Sequence, residues 1–240
     1  NAAATTLTHS TLSIACAALS AGHSIRFIEP WDFEVEKDGK IYARAHLQDT
    51  PLPSKEALLS LLTGRRLLRR MIEVDRLDVL LLRVNPLPDA VLSFALLALS
   101  AGVRVLNHPQ SLPRTHPKSW LATLKNVPHP PTLVTRSIAS AERFASSYET
   151  VVIKPARSCG GRGVHLVHRG RDLEESLEDA MKFGDGYAIV QTYLPEASQG
   201  EKRLLWLEGT LIGGYLRQRP PGEFRHNLKV GGTPQPLVLG

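Results

Sequence analysis

The run Val151-Val152-Ile153-Lys154-Pro155 passes almost directly into Ser158-Cys159-Gly160-Gly161-Arg162-Gly163-Val164, and this junction constrains the chain more than any other stretch. β-Branched residues favour an extended strand, and Lys154 sets one ammonium at its end. Gly160, Gly161 and Gly163 then allow backbone N–H groups to approach a polyanion closely. The loop lacks the Gly-Lys-Ser/Thr ending of a Walker A motif and the spacing of a dinucleotide fingerprint, so neither of those phosphate-binding designs applies. A nucleoside triphosphate is the natural guest. A purely steric use of glycine in a hairpin loop is the competing explanation, and only context separates the two.

A chain of 240 residues with 42% hydrophobic content can bury one large core or two modest ones. Charged residues make up 22%, and the net charge of +6 fits either a solvated basic surface or a polyanionic ligand. Arg65, Arg66, Arg69 and Arg70 fall on one predicted helix. With 6% aromatic residues and none interleaved with these arginines, a solvated helix face is the better reading than a nucleic-acid surface. Cys16 and Cys159 show no CxxC spacing, which argues against a disulfide framework or zinc site and suits a reducing cytoplasm. The apolar stretch Leu12 to Ala21 has no basic residues before it and reads as a core helix rather than a leader. No run reaches the length that spans a bilayer.

The N-terminal half alternates in the manner of an α/β layer. A helix closing at Gly22 precedes a strand over Ser24 to Glu29. Strands Phe33 to Glu36 and Ile41 to Leu47 flank Lys37-Asp38-Gly39-Lys40 as a hairpin decorating a sheet edge. A helix is expected over Lys55 to Arg70. Val79 to Arg83 reads as a strand buried on both faces, Asp89 to Ser100 as a helix stopped by Gly102, and Arg104 to Asn107 as the next parallel strand. This half is Rossmann-like, with the strand that would open such a layer missing.

Prolines 109, 128, 130 and 131 bracket a helix at Thr115 to Leu124, which places a domain boundary near residue 112. Beyond it come strands Thr132 to Thr135, Val151 to Lys154 and Val164 to Val167, with helices at Ser140 to Tyr148 and Leu173 to Phe183. Ala188 to Thr192, Arg203 to Leu207 and Leu211 to Arg217 read as an antiparallel-leaning set, turning at Glu208-Gly209. His165 and His168, three apart on a strand, face opposite sides and are read as ordinary polar residues without a shared metal.

Lys-Pro followed by Gly-Gly-Arg-Gly-Val, then Gln191-Thr192-Tyr193-Leu194-Pro195 and Glu201-Lys202-Arg203, resembles the ATP-grasp ligases, and in particular the prokaryotic glutathione synthetase family. The resemblance extends through Gly22-His23 with Ile28-Glu29-Pro30, Arg83 with Pro86 and Asp89, Asn107 with Pro109-Gln110-Ser111-Leu112, Thr132 to Arg136, and Arg225-x-Asn227-Leu228-x-x-Gly231-Gly232, in family order. It implies a Rossmann-like pre-ATP-grasp domain over 1–112. An ATP-grasp α+β domain follows over 113–240, with one nucleotide-binding lobe at 113–190 and the start of a second, carrying a lid, at 191–240.

By that resemblance Lys118 and Lys154 hold the triphosphate of ATP beside Gly160, Gly161 and Gly163. Gln191, Thr192, Tyr193 and Leu194 form the hinge whose backbone reads adenine, so that side-chain changes there should matter little. Glu201, where relatives carry aspartate, accepts from the ribose. Arg203, Arg219, Arg225 and Asn227 form the catalytic set, and Arg83, Arg225, Gly231 and Gly232 contact substrate. Their bland alternatives are a solvated helix lysine for Lys118, an exposed turn carboxylate for Glu201, a salt bridge for Arg203, a strand-capping cation for Arg83 and a surface loop for 220–232.

The implied reaction activates a carboxylate as its acyl phosphate for attack by an amine, with magnesium bridging the phosphates. The implied substrates are γ-glutamylcysteine and glycine, with no nucleic-acid or membrane partner, and a homo-oligomer is implied only by relatives. The chain departs from the family at several points. His9 stands where aspartate is usual, the lid is two residues short between Arg219 and Arg225, and the Glu-x-Asn magnesium motif would lie after Gly240. The expectation is a domain pair incomplete at both ends. An ATP-grasp ligase for another peptide or protein carboxylate, or an inactive nucleotide-binding module, stay open.

Overall fold

A computed structural model of the chain describes residues 7, 9–52, 54–64, 68–85 and 87–237. The chain divides into two compact units, 1–113 and 114–240. Arg65, Arg66 and Pro86 lie outside the described residues.

In the first unit α1 (Ser10–Ser20) is followed by β1 (Ile25–Val35), β2 (Ile41–Gln48), α2 (Lys55–Thr63), β3 (Arg70–Glu73), β4 (Val79–Leu81), α3 (Asp89–Ser100) and β5 (Arg104–Leu106). The expected strands at 24–29 and 33–36 are one strand. β1 runs through both, with a register irregularity between Ile28 and Phe33 that absorbs Pro30. It pairs antiparallel with β2 across a turn in which Gly39 takes φ +80° and Lys40 N–H donates to Asp38 Oδ1 at 3.0 Å. The helix expected to reach Arg70 instead ends at Thr63, and Arg70 opens β3, which pairs with β2 at Ala45. Arginine fits an edge strand as readily as a helix, so the arginine cluster did not mark the helix end.

β4 and β5 are parallel, joined through α3, which buries Val91, Ala95 and Ala98. Leu80 and Val105 enter the same core as Ile41, Ala43 and Val74. The reading of Val79 to Arg83 as buried on both faces is corrected: Val79 and Leu81 are 46% and 42% exposed. The described residues provide a cover for one side of this two-stranded sheet, and an apolar run reports a capacity for burial rather than its fulfilment.

In the second unit a helical turn at Leu112–Thr115 (α4) begins before the boundary, and a 3-10 segment follows at Lys118–Thr123 in place of the helix expected over Thr115 to Leu124. Pro117 has no N–H to continue the ladder, which breaks that helix in two. Then come β6 (Thr132–Thr135), α5 (Ile138–Ala145), β7 (Thr150–Pro155), β8 (His165–His168), α6 (Leu173–Met181) and β9 (Ala188–Thr192). These strands form an antiparallel sheet ordered β6-β9-β7-β8. β9 therefore lies at the centre of the first lobe rather than beside the last strands.

Side chains alternate along β7, with Val151, Ile153 and Pro155 buried. Ile153 and Leu177 of α6 are both fully buried among Ala141, Val167, Ala180 and Val190, each such side chain contributing roughly 1.5–3 kcal/mol. β10 (Glu201–Leu207), β11 (Thr210–Gln218) and β12 (Thr233–Pro236) form a separate antiparallel ribbon. Its Glu208-Gly209 turn has positive φ at both positions, as a tight two-residue hairpin requires.

Candidate functional site

Strand parity builds the site. With Val151 and Ile153 of β7 turned to the core, Val152 and Lys154 fall on the opposite face of the sheet. Val152 is in register with Gln191, and Gln191 with Thr132, so all three share that face with Lys154. Ile189, paired with Lys154 and 1% exposed, gives the face an apolar floor.

Lys154 Nζ donates to Gln191 Oε1 at 2.7 Å. Burial, and then the neighbouring charge of Lys118, push its pKa down to about 8, against a weaker upward pull from Glu201. Lys118 is lowered in turn by burial, and its ammonium donates to the Ser158 carbonyl at 2.7 Å at the root of the glycine loop. Two ammoniums lowered by burial, with Lys118 also lowering Lys154, are unfavourable without an anion and favourable with one. The donor set fits a polyphosphate.

Gly160, Gly161 and Gly163 take φ of +71°, +80° and +63°, a region closed to most side chains. The segment 219–232 packs directly on this loop. Arg225 Nη1 donates to the Gly161 carbonyl at 2.9 Å. A Cβ on Gly161 would stand 2.9 Å from Asn227 Oδ1, and one on Gly160 would stand 2.9 Å from Lys229 Cδ. The lid itself turns back on a compact bend in which Gly232 N–H donates to the Asn227 carbonyl at 3.1 Å and Gly231 takes φ +91°. Arg219 Nη1 donates to the Glu223 carbonyl at 3.1 Å. A cleft of about 570 Å³ opens beside it, lined by Leu166, Ser198, Arg219, Pro220, Glu223 and Phe224 among others.

Glu223 holds Arg225 in a fork, Nε to Oε1 at 3.0 Å and Nη2 to Oε2 at 2.6 Å, and Oε1 also accepts from the Phe224 and Arg225 amides. The Arg225 guanidinium and these amides bring the Glu223 carboxyl down to about 2. A carboxylate lowered from its ordinary 4.5 stabilises the folded lid above pH ~4.5 and loses that contribution as pH falls towards 2. Amide exchange at Phe224 and Arg225, corrected for intrinsic rates, should therefore stay protected at pH 6, weaken as pH falls below about 4.5 and lose protection only near pH 2. Glu223→Gln should remove the dependence. Flat protection across that range would contradict the fork.

The remaining candidates are placed as follows. Thr192 and Tyr193 N–H donate to the Pro131 and Thr150 carbonyls, both at 3.1 Å, while among the described residues the Leu194 N–H and Tyr193 carbonyl make no backbone hydrogen bond. The Gln191 side chain, expected to matter little, is instead engaged at both ends. Glu201 lies on β10 and ion-pairs with Arg217 and with Arg203 Nε at 3.3 Å, so its carboxylate is already shared between guanidiniums. Arg203 is thus in the salt bridge that was its bland alternative. Arg83, in the first unit, donates to the Ser10 and Thr11 hydroxyls at the start of α1. His165 pairs with Asp179 at 2.8 Å and His168 with Thr150 at 2.9 Å, on separate partners.

Family models for the prokaryotic glutathione synthetase N-terminal domain and ATP-grasp domain match residues 3–113 and 119–239. The chain belongs to the prokaryotic glutathione synthetase family. Glutathione synthetase of Vibrio parahaemolyticus is 32% identical over 170 residues, covering 68% of this chain and 54% of that protein. The Vibrio cholerae glutathione synthetase is 32% identical over 174 residues, 70% of this chain and 54% of that protein. The chain spans about half the length of these curated relatives. Among solved structures, D-cycloserine synthetase DcsG superposes with a TM-score of 0.55 at 18% identity, over 70% of this chain and 62% of that one, a likeness of fold.

Within this member of the family, sequence reasoning missed Glu223, Gln191 as a side chain, Arg217 and Lys229. The Glu-x-Arg spacing of Glu223 and Arg225 was the available signal, since a loop carboxylate two residues from an arginine can fork it and cap the intervening amides. Gln191 was recoverable from strand register, because a polar side chain paired with Val152 must share a face with Lys154. Lys229 had no signal beyond its charge.

Proposed function

We propose that the protein acts as an ATP-dependent carboxylate–amine ligase that joins γ-glutamylcysteine to glycine. The observation that carries this reading is the pair of depressed ammoniums, Lys154 and Lys118, beside the Gly160–Gly163 loop in a member of this family. Lys154 and Lys118 would hold the phosphate tail, and the Tyr193 carbonyl and Leu194 N–H would meet the base. Arg225, aimed by Glu223, and Arg219 would meet charge that develops on the activated carboxylate, with the lid excluding water from it. ATP supplies the phosphoryl group that turns a carboxylate into an acyl phosphate, and the amine then displaces phosphate to leave an amide.

Among the described residues no group of three or more His, Cys, Asp or Glu side chains is arranged to hold a metal, and the magnesium that the family implies would arrive with the phosphates of ATP. The described helices include none long and apolar enough to cross a membrane. A cytoplasmic setting and a homo-oligomer belong to the same proposal. The test is ADP release and tripeptide formation by a full-length preparation given γ-glutamylcysteine, glycine and Mg-ATP. Release that ignores glycine would sink the substrate assignment. The lid spacing, two residues short between Arg219 and Arg225, favours a second reading in which the same chemistry serves another carboxylate or amine. A screen of amines and peptides for ADP release separates the two.

A further inference from the structure

We infer that Gln191 and Thr132 are positioning residues that hold the Lys154 ammonium in one place and present it with an acceptor only. The inference deepens the proposed function and rests on its placement of Lys154 at the phosphate tail. Three hydrogen bonds connect in series: Lys154 Nζ to Gln191 Oε1, Gln191 Nε2 to Thr132 Oγ1, and Thr132 Oγ1 to the Pro130 carbonyl, each 2.7 Å.

The far end of this series fixes its direction. A carbonyl oxygen can only accept, so the Thr132 hydroxyl must spend its proton on Pro130 and can only accept from Gln191. The Gln191 amide must then turn its NH2 to Thr132 and its oxygen to Lys154. A flipped amide would set two N–H groups against an ammonium and lose two bonds in one step. One backbone carbonyl, three residues and two strands away, thereby decides what the lysine sees.

The consequence for binding is geometric. Lys154 crosses diagonally from its register partner Ile189 towards Gln191, and one ammonium proton is committed along the sheet. That restricts rotation of a side chain that otherwise loses much rotamer freedom on binding. The other protons remain for an anion. The charged groups facing Lys154 from other elements are Lys118 of the 3-10 segment and Glu201 of β10, and neither supplies this acceptor.

The series is tested in the ligand-free protein, so that its outcome does not depend on nucleotide binding. The probe is the pH titration of the Lys154 side chain, followed by 13C-lysine NMR with the signal assigned through Lys154→Arg. The wild-type midpoint is expected near 8. Gln191→Met removes the acceptor and should lower the midpoint, and Thr132→Val, which frees the amide to turn, should lower it by less. Gln191→Glu keeps the shape, adds a charge and should raise it by about a unit or more.

A Gln191→Met or Thr132→Val midpoint within about 0.2 of wild type would overturn the inference, as would a fall in Gln191→Glu. Calorimetry with Mg-ATP then reads the placement separately. If the midpoints move as expected and wild type takes up no Mg-ATP, the relay stands and the nucleotide assignment falls. If wild type binds, Gln191→Met should bind several-fold more weakly at pH 7, and an unchanged affinity would overturn the positioning role.

Discussion

Replacing Lys154 with methionine should separate function from stability in opposite directions. Loss of a charge-assisted contact to phosphate, about 1.5–3 kcal/mol, weakens Mg-ATP binding roughly 10- to 150-fold. Turnover should fall further, by roughly 10²–10³, because the missing ammonium also faces charge that builds during phosphoryl transfer. The ligand-free protein should nevertheless become more stable. Lys154 titrates at about 8 when folded and 10.5 when unfolded, so below pH 8 it is charged in both states and the fold bears the burial cost. That cost is at most about 3 kcal/mol and disappears as pH rises from 8 to 10.5. Denaturation at pH 7 and pH 10.5 checks the sign: the advantage of Lys154→Met should be present at the first and absent at the second. Unchanged Mg-ATP affinity would remove Lys154 from the site.

The second large effect is expected at Gly232→Ala. A Cβ there would sit 2.5 Å from the His226 carbonyl oxygen and 3.0 Å from that of Asn227, both backbone atoms that cannot turn aside. The strain of roughly 1–3 kcal/mol falls on the bend that closes the lid rather than on either core. Turnover should drop by about 10² while Mg-ATP affinity changes only a few-fold, since Lys154 and Lys118 do not depend on the bend. Amide protection at Val230, Gly231 and Gly232 should be lost. Gly213→Ala, whose added Cβ meets nothing within 4 Å, serves as the silent control. Full protection and full turnover in Gly232→Ala would show that the bend accommodates the added methyl and that its tightness does not govern lid closure.

How far the sequence carried these conclusions depended on whether local chemistry or long-range pairing was in charge. The strand at Thr132–Thr135 and the hairpin at Glu208-Gly209 were legible because β-branched runs and a turn dipeptide act within a few residues. The glycine loop and Lys154 were legible for the same reason. β3 was not, since Arg70 to Glu73 becomes a strand only by finding β2, and nothing within four residues announces that partner. Likewise Ala188–Thr192 was read with the later strands, although its place between β6 and β7 is set by pairing across dozens of residues. At the site, the motif residues were visible and their supports were not. Glu223, Thr132 and Ser158 act by orienting other groups, and that role exists only once the chain has folded.

The contact between Arg225 and the Gly161 carbonyl has a kinetic corollary. Asn227 and Lys229 fill the room that Gly161 and Gly160 leave by lacking side chains, so lifting the lid away from the glycine loop breaks that packing and the Arg225 bond together. An incoming molecule would have to wait for those contacts to part. Its arrival rate would then be governed by the frequency of that opening, and raising its concentration would eventually cease to hasten entry.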